Sequence, residues 1–370
     1  PPLRGQRPED TQVAASGEDD EDGVPSFIPD DVVPRRATAE PAPMSLPQKA
    51  YLREQMKVVS SITYHQVESL AYAAFRLPPL LAVTERLFRE VRLLLPDYHP
   101  TSMLDFGSGP GTAIISALSA WEHPIQDILA IEPSSSMTSV AQALLNEETG
   151  IRWRRFLNPN SEESFSLTSS VYVLTELLNP RARLRSLRAL WAQTKDVLIV
   201  VEPGTPVGFE EILRARDWIL SEGGHILAPC THQRACPMQN LQPSSESAPS
   251  KALPGWCHFR QRLSRNEVKM SILGRGKSWQ DEKFSYLVAV KPGSPHFPSS
   301  ESQQAGSRVI APPRRRTRHL YLSLCTEEGN LVPDLVITKS SKVPLAYKVS
   351  RKLEWGDRFL FPRVESTQTS

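Results

Sequence analysis

A chain of 370 residues with 39% apolar side chains holds enough material for one large domain with additions, or for two domains. No run approaches the roughly 18 consecutive apolar residues of a membrane-spanning helix, and no membrane partner is expected. The net charge of +2 hides an asymmetry: residues 1–45 carry ten acidic side chains against four arginines, a net of −6, leaving +8 on the rest. Such a basic body suits an acidic partner such as nucleic acid without requiring one.

Taken in order, residues 1–46 are rich in Pro, Asp and Glu (Glu18 to Asp22 among them), show no apolar period, and are expected to form a disordered acidic tail. The chain starts at Pro1 rather than Met, so any targeting segment is expected to lie ahead of it. Residues 47–98 read as an N-terminal helical segment. Tyr64, Val67, Leu70 and Ala71, then Leu81, Val83, Leu87, Val91 and Leu94, recur at helical spacing, and Pro78 and Pro79 interrupt the run.

Residues 99–330 change pattern. The short apolar runs Ser102–Phe106, Asp127–Glu132, Ser169–Leu174 and Asp196–Glu202 alternate with helical stretches, which predicts a doubly wound α/β sheet. Phe284–Val290 and His319–Leu324 lack a helix between them and are expected to pair antiparallel at the sheet edge. Residues 239–255 and 291–307, dominated by Ser, Pro, Gln and Gly, read as mobile surface loops. Residues 331–370 fit a small C-terminal β extension.

Leu104-Asp105-Phe106-Gly107-Ser108-Gly109-Pro110-Gly111-Thr112 follows a strand and opens a helix expected over Ala113–Ala120. Glycines serve there because the chain turns sharply and a ligand must approach the backbone. Glu132 closes the next strand, where a carboxylate can take both hydroxyls of a ribose. Dinucleotide sites prefer G-x-G-x-x-G; the G-x-G-x-G spacing, with an acid two residues ahead, resembles motif I of the class I S-adenosylmethionine-dependent methyltransferases. In that reading Asp105 helps hold the cationic amino-acid end of the ligand. Gly274-Arg275-Gly276-Lys277-Ser278 looks like a phosphate loop, but position 271 is Ser271 where the motif needs glycine, so a turn is expected.

All four cysteines, Cys230, Cys236, Cys257 and Cys325, fall in the last 141 residues. A disulfide framework is not expected in an enzyme fold of this size. Four thiolates suit zinc or an iron–sulfur cluster, and the wide spacing without a C-x-x-C leaves both open. His232 and His258 read as ordinary polar loop residues.

Together, Leu104–Gly111, Val201-Glu202-Pro203-Gly204-Thr205-Pro206, Ala228-Pro229-Cys230 through Cys236-Pro237-Met238, and Trp256-Cys257-His258-Phe259 resemble one family, the methyltransferase-like proteins of the mitochondrial small ribosomal subunit. The resemblance covers about residues 48–365. It implies a class I methyltransferase (Rossmann-like) α/β sheet with N-terminal helices, a C-terminal iron–sulfur site and a small β addition. It further implies a [4Fe-4S] cluster on Cys230, Cys236, Cys257 and Cys325, and S-adenosylmethionine contacts from Asp105, Phe106, Gly107, Gly109, Gly111 and Glu132. The implied setting is the mitochondrial matrix, on ribosomal RNA of the immature small subunit. The segments between Cys236 and Cys257 and ahead of Arg308 look longer than in relatives.

Equipment for methyl transfer is sparse. No Asn/Asp-Pro-Pro-aromatic motif appears in Tyr172–Pro180, where base-amine methyltransferases carry one, and no cysteine is left over for pyrimidine carbon-5 chemistry. Glu176 could act as a base, but reads first as a helix-start carboxylate; no catalytic residue is assigned. For RNA, Arg314, Arg315, Arg316 and Arg318 lead into the strand that ends at Cys325. Arg181, Arg185 and Arg188 share a helix face opposite Leu184, Leu187 and Trp191. The expected function is a small-subunit assembly factor, monomeric on the ribosome precursor, with the cluster structural and S-adenosylmethionine a stabilising ligand. Alternatives are an active ribosomal RNA cytidine methyltransferase and a zinc-bearing methyltransferase acting on protein.

Overall fold

The computed structural model describes residues 64–145, 150–239, 253, 255–265, 270–271, 277–298, 306–340 and 344–360. The chain divides between Pro47 and Gln48, and every described residue belongs to the second unit. The expected acidic tail, the loop 240–252 and most of the glycine-rich 274–278 turn lie outside the described residues.

Two helices come first, α1 (Gln66–Phe75) and α2 (Leu77–Leu94), separated at Arg76. The helical run is interrupted there as the sequence suggested, with Pro78 and Pro79 just past the break. They occupy the first turn of α2, where proline's missing N–H has no intrahelical partner to lose. The remainder runs β1 (Ser102–Phe106), α3 (Thr112–Ala120), β2 (Asp127–Ile131), α4 (Ser135–Leu145), β3 (Arg152–Arg154), β4 (Phe165–Val171), a 3₁₀ turn (Leu174–Glu176), α5 (Pro180–Ala192), β5 (Thr194–Pro203), α6 (Pro206–Ser221) and β6 (His225–Ala228). Asn179 and Thr205 cap α5 and α6 by accepting from Ala182 N at 2.8 Å and Gly208 N at 3.1 Å, each followed by proline at the first helical position. Then come β7 (Phe259–Ser264), β8 (Trp279–Val290), β9 (Ser307–Val309), β10 (Arg314–Arg315), β11 (His319–Cys325), β12 (Leu331–Thr338), α7 (Pro344–Ser350) and β13 (Arg358–Phe359).

The main sheet has strand order β3-β2-β1-β4-β5-β8-β6 among the described residues, with β7 paired to β8. Strands β1 to β5 are parallel, and β8 runs antiparallel between β5 and β6. Alternation along each strand feeds two cores. Met103, Val197, Ile199 and Val201 pack with α2 and α3 (Val83, Leu87, Ile114), while Leu104, Phe106, Leu198 and Val200 pack with α5 and α6 (Leu187, Leu190, Ile212). A parallel sheet must be covered on both faces, and this one is.

Three expectations need correcting. The fourth strand spans Phe165–Val171, not Ser169–Leu174, because Ser166, Thr168 and Ser170 are buried strand residues whose polarity disguised the run. His319–Cys325 does not pair with β8. It joins a second antiparallel sheet, β10-β11-β9-β13 with β12 on β11, built around Val309, Leu320, Leu322, Leu324 and Ile337. An expected boundary at residue 330 therefore falls inside the β11–β12 hairpin. Finally, residues 291–298 of the second expected loop are tied down: Ser294 Oγ donates to Asp196 at 2.8 Å and the His296 ring meets Tyr98 edge-on at 5.0 Å.

Candidate functional site

The chain leaves β1 through Gly107, Gly109 and Gly111, all at positive φ (+70°, +53° and +81°). A Cβ on Gly107 would stand 2.4 Å from Val173 Cγ2, and one on Gly111 would stand 2.7 Å from Leu145 Cδ1. The first glycine thus lets the loop press on the segment after β4, and the third lets α3 start against α4. At Gly109 nothing lies within 4 Å of the missing Cβ, which leaves the backbone open.

That openness faces a cavity of about 520 Å³ at the carboxyl ends of β1, β2 and β4, where the strand order reverses. Phe106, Gly107, Gly109 and Glu132 line it; Asp105 and Gly111 do not. Tyr64 ahead of α1 and Tyr72 on it, Phe156 and Leu157 after β3, Tyr172, Val173 and Glu176 after β4, and Arg185 complete much of the wall. Tyr172 is held at φ +60°, a conformation that is costly for a residue with a side chain.

The carboxylates divide the work. Asp105 is 2% exposed, Oδ1 accepts from Ser169 Oγ at 2.6 Å, Oδ2 has no partner among the described residues, and burial pushes the group up to about 6. Glu132 accepts from Gly109 N at 2.9 Å and Ser134 N at 2.8 Å; burial raises it while those bonds oppose the rise. Glu202, fully buried, accepts from Leu174 N at 2.8 Å, Thr175 N at 3.2 Å and Thr175 Oγ1 at 2.5 Å, and so clamps the 3₁₀ turn. Glu176, in the first turn of that 3₁₀ element, also lies in the cavity wall; burial and then Glu132 push it up to about 7.

The cysteines come from three segments and meet in one region. Cys230 and Cys236 lie in the loop after β6, Cys257 precedes β7, and Cys325 ends β11 opposite Arg308 in the ladder. All are free. Cys236 and Cys325 share an apolar cluster with Phe209, Leu213, Met238 and Ile310, against which Cys257 packs. Burial first, and then the neighbouring thiols, raise Cys236 to about 12 and push Cys257 and Cys325 up as well. Among the described residues, no group of three or more His, Cys, Asp and Glu side chains is arranged to hold a metal ion.

Two buried guanidinium groups flank the thiols, a feature that sequence reading missed. Arg216 Nη2 donates to His232 O at 3.2 Å and to Arg234 O at 2.5 Å. Arg308 donates from Nε to Pro229 O at 2.7 Å and from Nη1 to Gly356 O at 2.7 Å, and pairs with Glu90 at 2.7 Å. Arg216 Nε and Arg308 Nη2 are buried with no hydrogen-bond partner among the described residues. His232 and His258, read as ordinary loop residues, are both buried. His232 Nε2 lies 3.5 Å from Cys325 Sγ, and the His258 ring packs between Trp256 and Trp355. Nothing in the local sequence distinguished these arginines; only their buried surroundings do.

Of the arginine run, Arg314 pairs with Asp334 and lies over the Tyr321 ring, while Arg315 donates to Arg351 O at 2.8 Å, Leu353 O at 2.5 Å and Glu354 at 3.0 Å. Arg316 and Arg318 are exposed, with no side-chain ion pair among the described residues. On α5, Leu187 and Trp191 are buried as expected, but Leu184 is 36% exposed.

Strand order, glycine loop and cavity define the class: an α/β protein with a Rossmann-like, methyltransferase-type sheet. The model of the family "Mitochondrial small ribosomal subunit Rsm22" matches residues 66–360, and the chain belongs to that family. It is 28% identical over 314 residues to the human "Ribosome assembly protein METTL17, mitochondrial", covering 80% of this chain and 63% of the relative. It is 22% identical over 240 residues to "Ribosome assembly protein RSM22, mitochondrial" of Saccharomyces cerevisiae, covering 43% and 38%. The chain thus spans less than two thirds of the length of either relative. Among solved structures, N-methyltransferase NodS from Bradyrhizobium japonicum in complex with S-adenosyl-L-homocysteine aligns with a TM-score of 0.35 and 13% identity, covering 59% of this chain and 91% of that one.

Proposed function

We propose that the chain is an assembly factor for the mitochondrial small ribosomal subunit, acting in the matrix as a monomer bound to ribosomal RNA of the precursor. Its methyltransferase-like domain, from about residue 99, takes S-adenosylmethionine in the cavity as a ligand. Cys230, Cys236, Cys257 and Cys325 hold a [4Fe-4S] cluster that orders the surface beside them.

One observation carries the metal part of the reading: two buried cations stand beside four free thiols. Arg308 has Glu90 as a counter-charge, whereas among the described residues Arg216 reaches only Asp217, at 3.5 Å. A buried charge without compensation is costly, and protonated thiols offer none. A four-thiolate centre is anionic, and the unused N–H groups of Arg216 and Arg308 suit it. Membership of the family supports the ribosomal part. The exposed Arg316 and Arg318 suit phosphate contacts, with Arg314 and Arg315 shaping the loop that presents them.

For the ligand, Gly109 offers an open backbone and Glu132 keeps spare lone pairs for ribose hydroxyls. Asp105 contributes from beneath the loop, and Phe106 and Gly107 form its wall. When bound, S-adenosylmethionine supplies a methyl group on a sulfonium. The residues here position and enclose it.

The test is anaerobic purification followed by visible absorption and assays for iron, acid-labile sulfide and zinc. Iron with sulfide, lost together in a Cys325→Ser variant, is the expected result. A colourless protein with stoichiometric zinc refutes the cluster. Substituting Gly109 and Glu132 tests the cytidine-methyltransferase alternative: small-subunit assembly should survive with no ribosomal RNA methyl mark lost.

A further inference from the structure

Accepting that the cavity takes S-adenosylmethionine, on which this inference rests, some side chain must meet the ligand's positive charge at sulfur. Asp105 does not line the cavity, and one of its oxygens is taken by Ser169. Glu132 lines it, but each of its oxygens already accepts a backbone N–H. Glu176 differs from both. Its carboxylate makes no hydrogen bond or ion pair among the described residues, yet it stands in the cavity wall on a turn that Glu202 holds rigid. Beside it are the rings of Tyr64 and Tyr72, edge-on at 5.6 Å. A desolvated carboxylate without a partner, next to two aromatic rings, is chemistry that welcomes a cation.

We propose that Glu176, with Tyr64 and Tyr72, forms the subsite for the ligand's sulfonium and sets a preference for S-adenosylmethionine over its demethylated product. Glu132 meets the ribose hydroxyls in this arrangement. The sulfonium is joined to that ribose, and Glu176 is near enough to Glu132 for the two carboxylates to repel each other. A cation between them relieves that repulsion; the neutral thioether of S-adenosylhomocysteine does not. The preference is then lost when Glu176 takes up a proton. The other charged or titratable groups facing this space are Glu132, Tyr64, Tyr72, His65, Arg155 and Arg185 in the wall, with Arg76 and Glu202 behind.

The experiment is calorimetric titration of the full-length protein with S-adenosylmethionine and with S-adenosylhomocysteine, at pH 6 and pH 8, for wild type and Glu176→Gln. In wild type, S-adenosylmethionine should bind more tightly at pH 8, with S-adenosylhomocysteine little changed. In Glu176→Gln the preference should shrink on the order of tenfold, the weight of one charge-assisted contact, and its pH dependence should vanish. Unchanged binding of S-adenosylhomocysteine shows that the variant's cavity is intact. A wild-type preference retained in Glu176→Gln overturns the inference while leaving the cavity reading intact. Failure of wild type to bind either compound overturns both.

Discussion

Replacing Glu202 by Gln tests the energetics of the clamped turn. Burial holds this carboxyl up to about 7 against an ordinary value of 4.5, even though three hydrogen bonds to the Leu174–Thr175 segment oppose the rise. Between those values the folded chain keeps a proton that the unfolded chain has released, so stability falls as pH rises through that interval. The displacement amounts to roughly 3 kcal/mol. Asp105 and Glu176, raised to about 6 and about 7, act in the same direction. Glu163, held at about 2 by Arg154 and Arg152, titrates below the window. Glu202→Gln removes the contribution of this one carboxyl. It also costs about 1–3 kcal/mol at every pH, because its amide nitrogen cannot accept from Thr175 N. Denaturant titration of both proteins under anaerobic conditions at pH 5 and pH 8 measures the difference. The variant should be the weaker at pH 5 and should lose about 3 kcal/mol less than wild type on going to pH 8. Parallel losses in the two proteins would refute the assignment of a raised Glu202.

The glycine loop separates two kinds of constraint. Gly107→Ala meets both a positive φ and Val173 at 2.4 Å, so it should abolish ligand binding; Gly109→Ala meets only the φ and should cost about 1–2 kcal/mol, read by thermal melting and ligand titration. Arg308→Met leaves the half-buried Glu90 beside Tyr286 without its cation, and should lower stability by about 3–5 kcal/mol in denaturant melts, with part of the loss recovered by adding Glu90→Gln. Arg316→Ser and Arg318→Ser should each weaken RNA binding whatever the sequence and flatten its salt dependence by about one charge, whereas Arg315→Ser should also lower the melting temperature, since it releases the Arg351 and Leu353 carbonyls.

Much of the parallel sheet was legible because Met103 to Phe106, Ile128 to Ile131 and Val197 to Val201 are buried on both faces and so appear as continuous apolar runs. Strand β4 was displaced in the reading because its buried polar groups, such as Ser166 bonded to Ser102, look like surface residues out of context. The three residues of β3 and the four of β6 are too short to show any period. Pairing of β11 with the small sheet rather than β8 depends on contacts among residues 307–359, which no local pattern encodes. In the cavity, Gly107, Gly109 and Glu132 followed from spacing alone. Tyr64 and Tyr72 did not: helical periodicity marks Tyr64 only as a core position, and no local pattern marks Tyr72, which α1 brings to the cavity wall.

Arg308 touches three distant stretches of chain at once: Glu90 on α2, Pro229 beside the first cysteine, and Gly356 near β13. The helical N-terminal region, the sulfur-bearing loop and the last strands therefore share a single guanidinium. A truncation that removes the residues after 350 would be felt at the thiols, and a substitution at position 90 would be felt at both. Mutational tolerance at positions 90, 229, 308 and 356 should accordingly be joint rather than independent. Damage introduced at one end of the polypeptide would surface as a fault in its sulfur chemistry.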